Sequence, residues 1–360
     1  MKKIYTVLLM ALLQPLVDAQ VTYTSADYAN AGDQADYFLG NVSTNIDFDL
    51  SGPNHQWNFS SIQNQSSKSV SYVDPNITGY KSLWCLSEGY ITDCDTQFND
   101  NYSAAIQLLE APYTAGPNTV LENVYAHFNK TSTDFTLKMI GVKVLSFGTT
   151  FNMVLNYQQP DFVYKFPMNY NDAYTEAFSY TGNVQPQGFN LQVSGVGTRN
   201  NTVDGFGDLV IADQTFRNVL RLKTVSEQVL TTTQNGTNQQ RNVKLINYQW
   251  FSPDFKFPVL DVTAVETNAG IAPTEIRYLE NSSTLAASST KVKTNFIYPN
   301  PSQGNFKTNI PQTDIKSIEV YNQNGQLVSK SLNLTHLNKG NYVIKIKTST
   351  ETLTQKVIKE

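Results

Sequence analysis

Few residues of this chain have the types and spacing that catalysis by histidine or serine requires. The three histidines are His55, His127 and His336, and no two of them have the spacing of a zinc-binding motif. The string VSGVG around Ser194 lacks the glycine that stands two residues before the serine in a nucleophile elbow. We therefore predict no catalytic residue of either type.

Acidic residues provide one candidate for a metal ion. Asp47, Asp49 and Ser51 alternate along the chain before Gly52, which is the order of oxygen ligands in a calcium-binding loop. Position twelve of such a loop would be Asn58 instead of a glutamate, and a strand with its polar face outward has the same spacing. We therefore expect either no cofactor or a calcium ion at this position.

A second acidic group lies among glycines, at Asp204, Asp208 and Asp213. Hydrolysis of glycosides needs two carboxylates on opposite sides of a cleft. Surface turns are also rich in acidic residues, so the cluster alone does not indicate an enzyme. A secreted hydrolase that acts on polysaccharide or peptide is therefore an alternative function.

Aromatic side chains could bind a ligand without catalysis. The chain has 20 Tyr, 19 Phe and 3 Trp, and aromatic faces pack well against the apolar faces of sugars. Core packing is the more frequent role of such residues, and it is the one expected for Trp57, Trp84 and Trp250. A non-catalytic binding or adhesive module, with a glycan or another surface as its partner, is the function that we expect.

The elements that position these residues follow a predicted signal peptide at residues 1–19. Lysines precede an apolar run from Ile4 to Leu16, and Val17 and Ala19 occupy the positions that signal peptidase reads. The run is too short to cross about 30 Å of hydrocarbon as a helix. We expect Sec export, signal peptidase as a partner, and no transmembrane segment in the mature chain.

The two cysteines, Cys85 and Cys94, are predicted to form a structural disulfide. An even number of cysteines in an exported chain is typical of a disulfide, whereas a redox pair usually has the shorter CxxC spacing. Closing a loop of this length stabilises the fold by about 2.7 kcal/mol in the chain-entropy description.

Residues 20–280 are predicted to form a large antiparallel β-rich domain, either a sandwich or a curved barrel. Strand-like apolar patterns occupy residues 135–144, 161–166, 173–180, 188–197, 218–229 and 243–251. We interpret NNTVDGFGD from Asn200 as a turn, and Asn235-Gly236 as a hairpin signal within a longer loop. A barrel would also allow a small apolar ligand, which is a further alternative.

The sequence changes character at residues 281–294, which are predicted to be a flexible linker. The string NSSTLAASST is small and polar and has no periodicity. Residues 20–290 carry a net charge of −11, whereas residues 291–360 carry +6. The difference indicates two separately folded units, and the acidic first unit argues against a nucleic-acid partner.

Residues 295–360 carry the most specific pattern in the chain. The segment begins YPNPS at Tyr298, continues with IEVYNQNGQLV and LNKGNYVIKI, and ends QKVIKE. Its prolines exclude the first part from an inner strand, Asn324-Gly325 predicts a hairpin, and VIKIK alternates inward and outward. These features predict a small immunoglobulin-like β-sandwich.

The four motifs, in this order and running to the last residue, resemble the type A sorting domain of the type IX (Por) secretion system of certain Gram-negative bacteria. The resemblance implies Sec export, passage through the periplasm, recognition by an outer-membrane translocon, and removal of the domain by a sortase. The cargo would then be secreted or attached to the outer-membrane surface. The matching positions, which act in addressing and not in catalysis, are Pro299, Asn300, Pro301, Gly304, Gly325, Gly340, Tyr342, Lys356, Val357, Ile358 and Lys359.

The larger domain has only a loose resemblance to other proteins. GPNHQWNFSS from Gly52 and the stretch from Val203 are similar to segments of other sorting-domain proteins of unknown activity. This resemblance implies no reaction and no ligand.

Overall fold

The computed structural model describes residues 21–42, 46–116, 118–146, 148–185, 190–268, 270–280, 297–308, 310–322, 326–348 and 352–360. The predicted signal peptide and linker lie outside these residues. The chain divides into two compact units, Met1–Glu280 and Asn281–Glu360. Strands account for 65% of the structure and helices for 7%, so the predicted all-β class is confirmed.

The N-terminal unit contains sixteen strands in its described part. They are β1 (Thr22–Tyr23), β2 (Gln34–Gly40), β3 (Gly52–Phe59), β4 (Asn64–Val73), β5 (Ala104–Gln107), β6 (Tyr113–Gly116), β7 (Thr119–Lys130), β8 (Asp134–Ser146), β9 (Thr149–Lys165), β10 (Met168–Asn169), β11 (Ala173–Val184), β12 (Leu191–Ile211), β13 (Gln214–Gln234), β14 (Thr237–Phe251), β15 (Leu260–Thr267) and β16 (Gly270–Leu279). Two helices, α1 (Lys81–Glu88) and α2 (Cys94–Asn101), and a 3-10 turn at Pro75–Ile77 follow β4.

Twelve of these strands form a closed antiparallel barrel. β11 pairs with both β9 and β12, which closes the order β11-β9-β8-β7-β5-β4-β2-β16-β15-β14-β13-β12. β6 extends from β7, and β3 pairs in parallel with the part of β12 that β11 leaves free. Because the barrel is closed, each strand of its wall has a neighbouring strand on both sides, and the wall has no open edge.

Aromatic residues dominate the core of this unit. Tyr28 packs between Phe135 and Tyr164, with ring centroids 4.9 and 5.1 Å away. Trp57 and Trp250 are fully buried and meet edge to face at 5.8 Å. The tryptophan rings therefore fill the core and are not exposed platforms for sugars.

The turn predicted from Asn200 is wrong, because Asn200–Asp208 lies within the long strand β12. The glycines of this segment serve close approach between strands. A Cβ on Gly207 would lie 1.9 Å from the backbone oxygen of His55 in β3, so only glycine allows this pairing. Asn235 and Gly236 form a hairpin tighter than expected, because Gln234 pairs directly with Thr237.

The helices α1 and α2 lie against β7, β8 and β9 through a small core of their own. The Tyr80 ring packs on Gly141, where a Cβ would come within 2.3 Å of it. The predicted Cys85–Cys94 disulfide is confirmed and links α1 to α2, with a Cα–Cα distance of 5.5 Å. In the described part of the chain, no helix has the length and apolar character needed to cross a bilayer.

The C-terminal unit is built from small sheets, as its sequence predicts. Its strands are β17 (Ile297–Tyr298), β18 (Lys307–Thr308), β19 (Ile315–Tyr321), β20 (Leu327–Ser329), β21 (Gly340–Thr348) and β22 (Thr352–Lys359). Four of them form a sheet in the order β20-β19-β21-β22, and β17 pairs with β18. The core includes Val320, Ile344, Ile346 and Val357. The predicted turn at Asn324-Gly325, and with it Gly325, lies outside the described residues.

Candidate functional site

The YPNPS segment, which begins the C-terminal motif, lies along the outer edge of β22, the strand that contains the end of the motif. Asn300 Oδ1 accepts a hydrogen bond from Ile358 N at 2.8 Å, and Asn300 Nδ2 donates to Lys356 O at 3.0 Å. Ser302 continues the contact, because its N donates to Ile358 O at 3.0 Å and its O accepts from Glu360 N at 2.9 Å. The YPNPS segment therefore satisfies edge groups that could otherwise pair with another chain.

Lys359 is turned inward at the same edge and is only 8% exposed. Its Nζ donates to the carbonyl oxygens of Thr335 at 3.3 Å and Leu337 at 2.5 Å. Gly304 has a φ of +110°, and a Cβ there would lie 2.8 Å from Lys359 Cε and 2.9 Å from Thr335 Cα. A side chain at position 304 would be strained and would displace the lysine.

The other motif positions surround this edge or support it. Tyr342 donates its hydroxyl to Asn338 O at 2.6 Å, and Val357 is fully buried. Gly340 has a φ of +154°, and Pro299 and Pro301 flank Asn300. The arrangement fixes the YPNPS segment against β22.

In the N-terminal unit, the buried acid Asp161 forms a two-point ion pair with Arg199. Arg199 Nε donates to Asp161 Oδ1 at 2.6 Å, and Nη2 donates to Oδ2 at 2.7 Å. Burial disfavours the charge on Arg199, but the hydrogen bonds to Asp161 outweigh it and raise the pKa of the guanidinium. Both carboxylate oxygens of Asp161 are therefore occupied by the guanidinium of Arg199.

A second buried pair joins Asp261 to Arg277, with 2.8 Å between Oδ2 and Nη2. Gln249 Nε2 donates to the same carboxylate oxygen at 2.9 Å, and Tyr164 donates to Gln249 Oε1 at 3.0 Å. The Asp261 charge raises the pKa of Arg277 above its ordinary value. This network connects β9, β14, β15 and β16.

The acidic cluster predicted among glycines does not form a cleft with two opposed carboxylates. Asp204 pairs with Arg221, and Asp208 Oδ1 accepts from Asn218 N at 3.2 Å. Asp213 lies in the turn between β12 and β13. Within the described ranges, no three His, Cys, Asp or Glu side chains are grouped so that they could hold a metal ion.

The calcium candidates have partners within the protein. Asp47 Oδ1 accepts a hydrogen bond from Asp49 N at 2.8 Å, and Asp49 Oδ1 accepts from Lys223 Nζ at 2.6 Å. Burial opposes ionisation of Asp49, but the Lys223 hydrogen bond outweighs it and lowers the pKa of Asp49. Ser51 is exposed. A calcium ion at Asp49 would have to displace Lys223, so calcium stays a prediction without geometric support.

The histidines of the N-terminal unit have different environments. His127 is fully buried, and its Nε2 shares a hydrogen bond of 2.8 Å with Thr78 Oγ1. Burial lowers the pKa of His127 to about 4, so the ring is neutral at physiological pH. His55 packs against Trp57 and lines a cleft of about 300 Å³ with Phe206 and Asp208.

A larger cleft of about 740 Å³ lies between the end of β4, the 3-10 turn and the end of α2. We call it the amide cleft and define it by Gln34, Ser71, Asp74, Asn76 and Asn99, which line it. Asn76 Nδ2 donates to Asp74 Oδ1 at 2.8 Å and to Asn99 Oδ1 at 3.0 Å. The backbone hydrogen bond from Asn76 lowers the pKa of Asp74. The volume is within the range of about 300–1,000 Å³ that ligand sites occupy.

The sequence did not single out the residues of the amide cleft. Asn99 lies in α2, 23 residues after Asn76 in the 3-10 turn, so their contact depends on the folded chain. In this region, the sequence carries local signals for where helical turns begin and end. Asp74 before Pro75 is a capping pattern, and Gly89, with a φ of +80°, ends α1.

Comparison with known proteins identifies one part of the chain. The family model described as the secretion system C-terminal sorting domain matches residues 296–360. The resemblance to a type IX sorting domain is therefore confirmed for this segment, and it indicates export to a secreted or cell-surface location. No curated protein and no solved structure matches the chain.

Proposed function

We propose that this chain is a type IX-exported binding protein whose N-terminal unit recognises a polyhydroxylated ligand, such as a glycan, without catalysis. The observation that carries the proposal is the amide cleft, in which amides and a hydroxyl surround one carboxylate. Amide and hydroxyl groups both donate and accept hydrogen bonds, as recognition of sugar hydroxyls requires.

The walls of the amide cleft support a sugar-sized ligand. Gln34, Ser71 and Asn99 come from different segments of the chain and line one cavity. Ile77 also lines it and is 72% exposed, so it offers an apolar contact for the C–H face of a sugar ring. This combination of a few polar groups with an apolar contact is typical of ligand sites.

The hydrolase alternative has less support than binding. A carboxylate whose pKa is lowered, as that of Asp74 is, stays ionised at neutral pH and cannot protonate a leaving group. The buried acids Asp161 and Asp261 are both paired with arginines. The apolar-ligand alternative is disfavoured by the aromatic residues packed in the core, among them Tyr28, Phe135 and Tyr164.

In this proposal, type IX export delivers the N-terminal unit to the outside of the cell. We infer that Sec export and signal peptidase act first, that the outer-membrane translocon and a sortase then act on the C-terminal unit, and that the N-terminal unit is released or attached to the surface. Its net negative charge is compatible with a neutral glycan.

A glycan array with the full chain lacking residues 1–19 tests the proposal. For a glycan that binds, Asn76→Ala and Asn99→Ala should each weaken affinity about five-fold, since one hydrogen bond contributes about 1 kcal/mol. Asn242→Ala changes an exposed asparagine of β14 far from the cleft and should leave affinity unchanged. Absence of glycan binding, or binding that is insensitive to both cleft variants, would contradict the proposal.

A further inference from the structure

One face of the C-terminal sheet packs against the core of the unit, and on the described residues of the opposite face large side chains are exposed. Because side chains alternate along a strand, the residues between the core positions of β19, β21 and β22 point to the opposite face. Tyr321, Val343, Lys345 and Lys356 are such residues, whereas Val320, Ile344 and Val357 are fully buried. We call the first side the outer face.

An apolar row crosses the outer face from strand to strand. Leu327 pairs with Tyr321 and Tyr321 with Val343, so these three side chains follow one another at the strand spacing of about 4.8 Å. The row ends at Lys356, which pairs with Val343. Leu327 is 47% exposed and Val343 36%. Ile358, the next outward residue of β22, is 43% exposed. A row of exposed apolar residues on so small a unit is typical of an interaction surface.

The outer face also carries a positive charge. Lys345 and Lys347 lie on β21 and Lys356 on β22, and Glu319 on β19 pairs with Lys347 at 3.1 Å. The surrounding residues 291–360 have a net charge of +6. An apolar row with a basic rim is complementary to an apolar patch with an acidic rim.

The free edge of the sheet is a poor alternative for docking. Asn300 and Ser302 already occupy the backbone groups of Lys356 and Ile358 at the edge of β22, so another strand cannot add there without displacing them. Asn300, Gly304 and Lys359 thus shape the edge of the domain, whereas the motif residues Lys356 and Ile358 place their side chains on the outer face.

We propose that the outer face, formed by Leu327, Tyr321, Val343, Lys345, Lys356 and Ile358, is the surface on which the outer-membrane type IX machinery docks. The patch that it contacts on that machinery is apolar with an acidic rim. The proposal rests on export through the sorting domain and is independent of the glycan site.

Export of a variant with an altered outer face tests the proposal in a type IX-competent host that carries the full chain. The triple variant Leu327→Gln, Val343→Thr and Lys356→Glu removes two apolar side chains of the row and reverses the charge at position 356. We expect at least a ten-fold lower amount at the cell surface and in the medium, with accumulation in the periplasm. The control is Lys330→Glu with Lys339→Glu, which reverses two exposed lysines outside the strands and should be exported normally.

Folding of the variant and its contact with the outer-membrane machinery are measured in separate experiments. Thermal unfolding of the purified triple variant should match that of the unchanged protein, and a single Lys356→Glu variant serves if the triple variant does not fold. A photo-crosslinking residue at position 327 should label an outer-membrane type IX component, identified by mass spectrometry, whereas one at position 339 should not.

Several outcomes would overturn the docking surface. They are normal export of a folded triple variant, a crosslink from position 327 to the N-terminal unit of the same chain, and a crosslinked pair of identical chains. Deletion of residues 296–360 separates this failure from failure of the export route itself. If the truncated chain is retained while the triple variant is exported, the route holds and the outer face is wrong.

Discussion

The two units of this protein use their polar residues in opposite ways. In the barrel, charged side chains far apart in sequence are buried as pairs, such as Asp161 with Arg199 and Asp261 with Arg277. In the C-terminal unit, short motifs from both ends of the domain meet at one strand edge through Asn300. The difference indicates that the barrel charges hold a large closed sheet together, whereas the C-terminal motif residues shape a small domain that is recognised.

Breaking the Asp161–Arg199 pair should have the largest effect on the barrel. Arg199→Ala leaves the Asp161 carboxylate buried without its partner, which typically costs about 3–5 kcal/mol. Urea unfolding followed by tryptophan fluorescence measures this unit alone, because Trp57, Trp84 and Trp250 all lie in it. A loss of less than about 1 kcal/mol would show that the pair is not structural. The double variant Asp161→Leu with Arg199→Met should recover much of the loss.

Acid should weaken the barrel through His127. The pKa of this histidine is about 4 in the folded protein and about 6.5 in the unfolded chain, so between these pH values only the unfolded chain binds the proton. The free energy of unfolding should therefore fall by about 3 kcal/mol as the pH drops from 6.5 to 4. Urea titrations across this range measure it. His127→Gln should remove this part of the slope, and an identical slope in the variant would contradict the assignment.

Removal of the disulfide should have a slightly smaller effect, confined to the N-terminal unit. Cys85→Ser with Cys94→Ser releases the link between α1 and α2 and should lower the free energy of unfolding by about 2.7 kcal/mol. The amide cleft depends on the position of α2, so glycan affinity should fall as well. An unchanged glycan affinity would show that the amide cleft does not depend on the disulfide-linked position of α2.

Asn300→Ala should have the smallest effect on stability. The change removes two hydrogen bonds at the edge of β22 and should destabilise the C-terminal unit by about 1–2 kcal/mol. Faster hydrogen exchange at the Ile358 amide measures it, while tryptophan fluorescence of the barrel should stay the same. Asn338→Ala, a change of an exposed asparagine before β21, is the matched control. Equal exchange in the two variants would show that Asn300 does not protect this edge.

The sequence predicted much of the fold because alternation is a local property. The segments from Phe135, Ala173, Asn218 and Val243 lie in strands, and the hairpin at Asn235-Gly236 forms where expected. Closure of the barrel depends on β11 pairing with both β9 and β12, which no local pattern reveals.

The errors have physical causes of the same kind. Gly205 and Gly207 resemble turn residues, but they allow β3 to approach β12. Helices α1 and α2 were not predicted, because each has only eight residues, too few for a clear helical period, and packing on β8 stabilises them. For the C-terminal unit the motif positions were readable, whereas the contacts of Asn300 and Lys359 require the folded domain.

Deletion of residues 296–360 tests most directly whether the C-terminal unit is the export signal. In a type IX-competent host, the truncated chain should accumulate in the periplasm and be absent from the cell surface and the medium, as measured by fractionation and immunoblotting. Surface or medium levels equal to those of the full chain would contradict export through this domain.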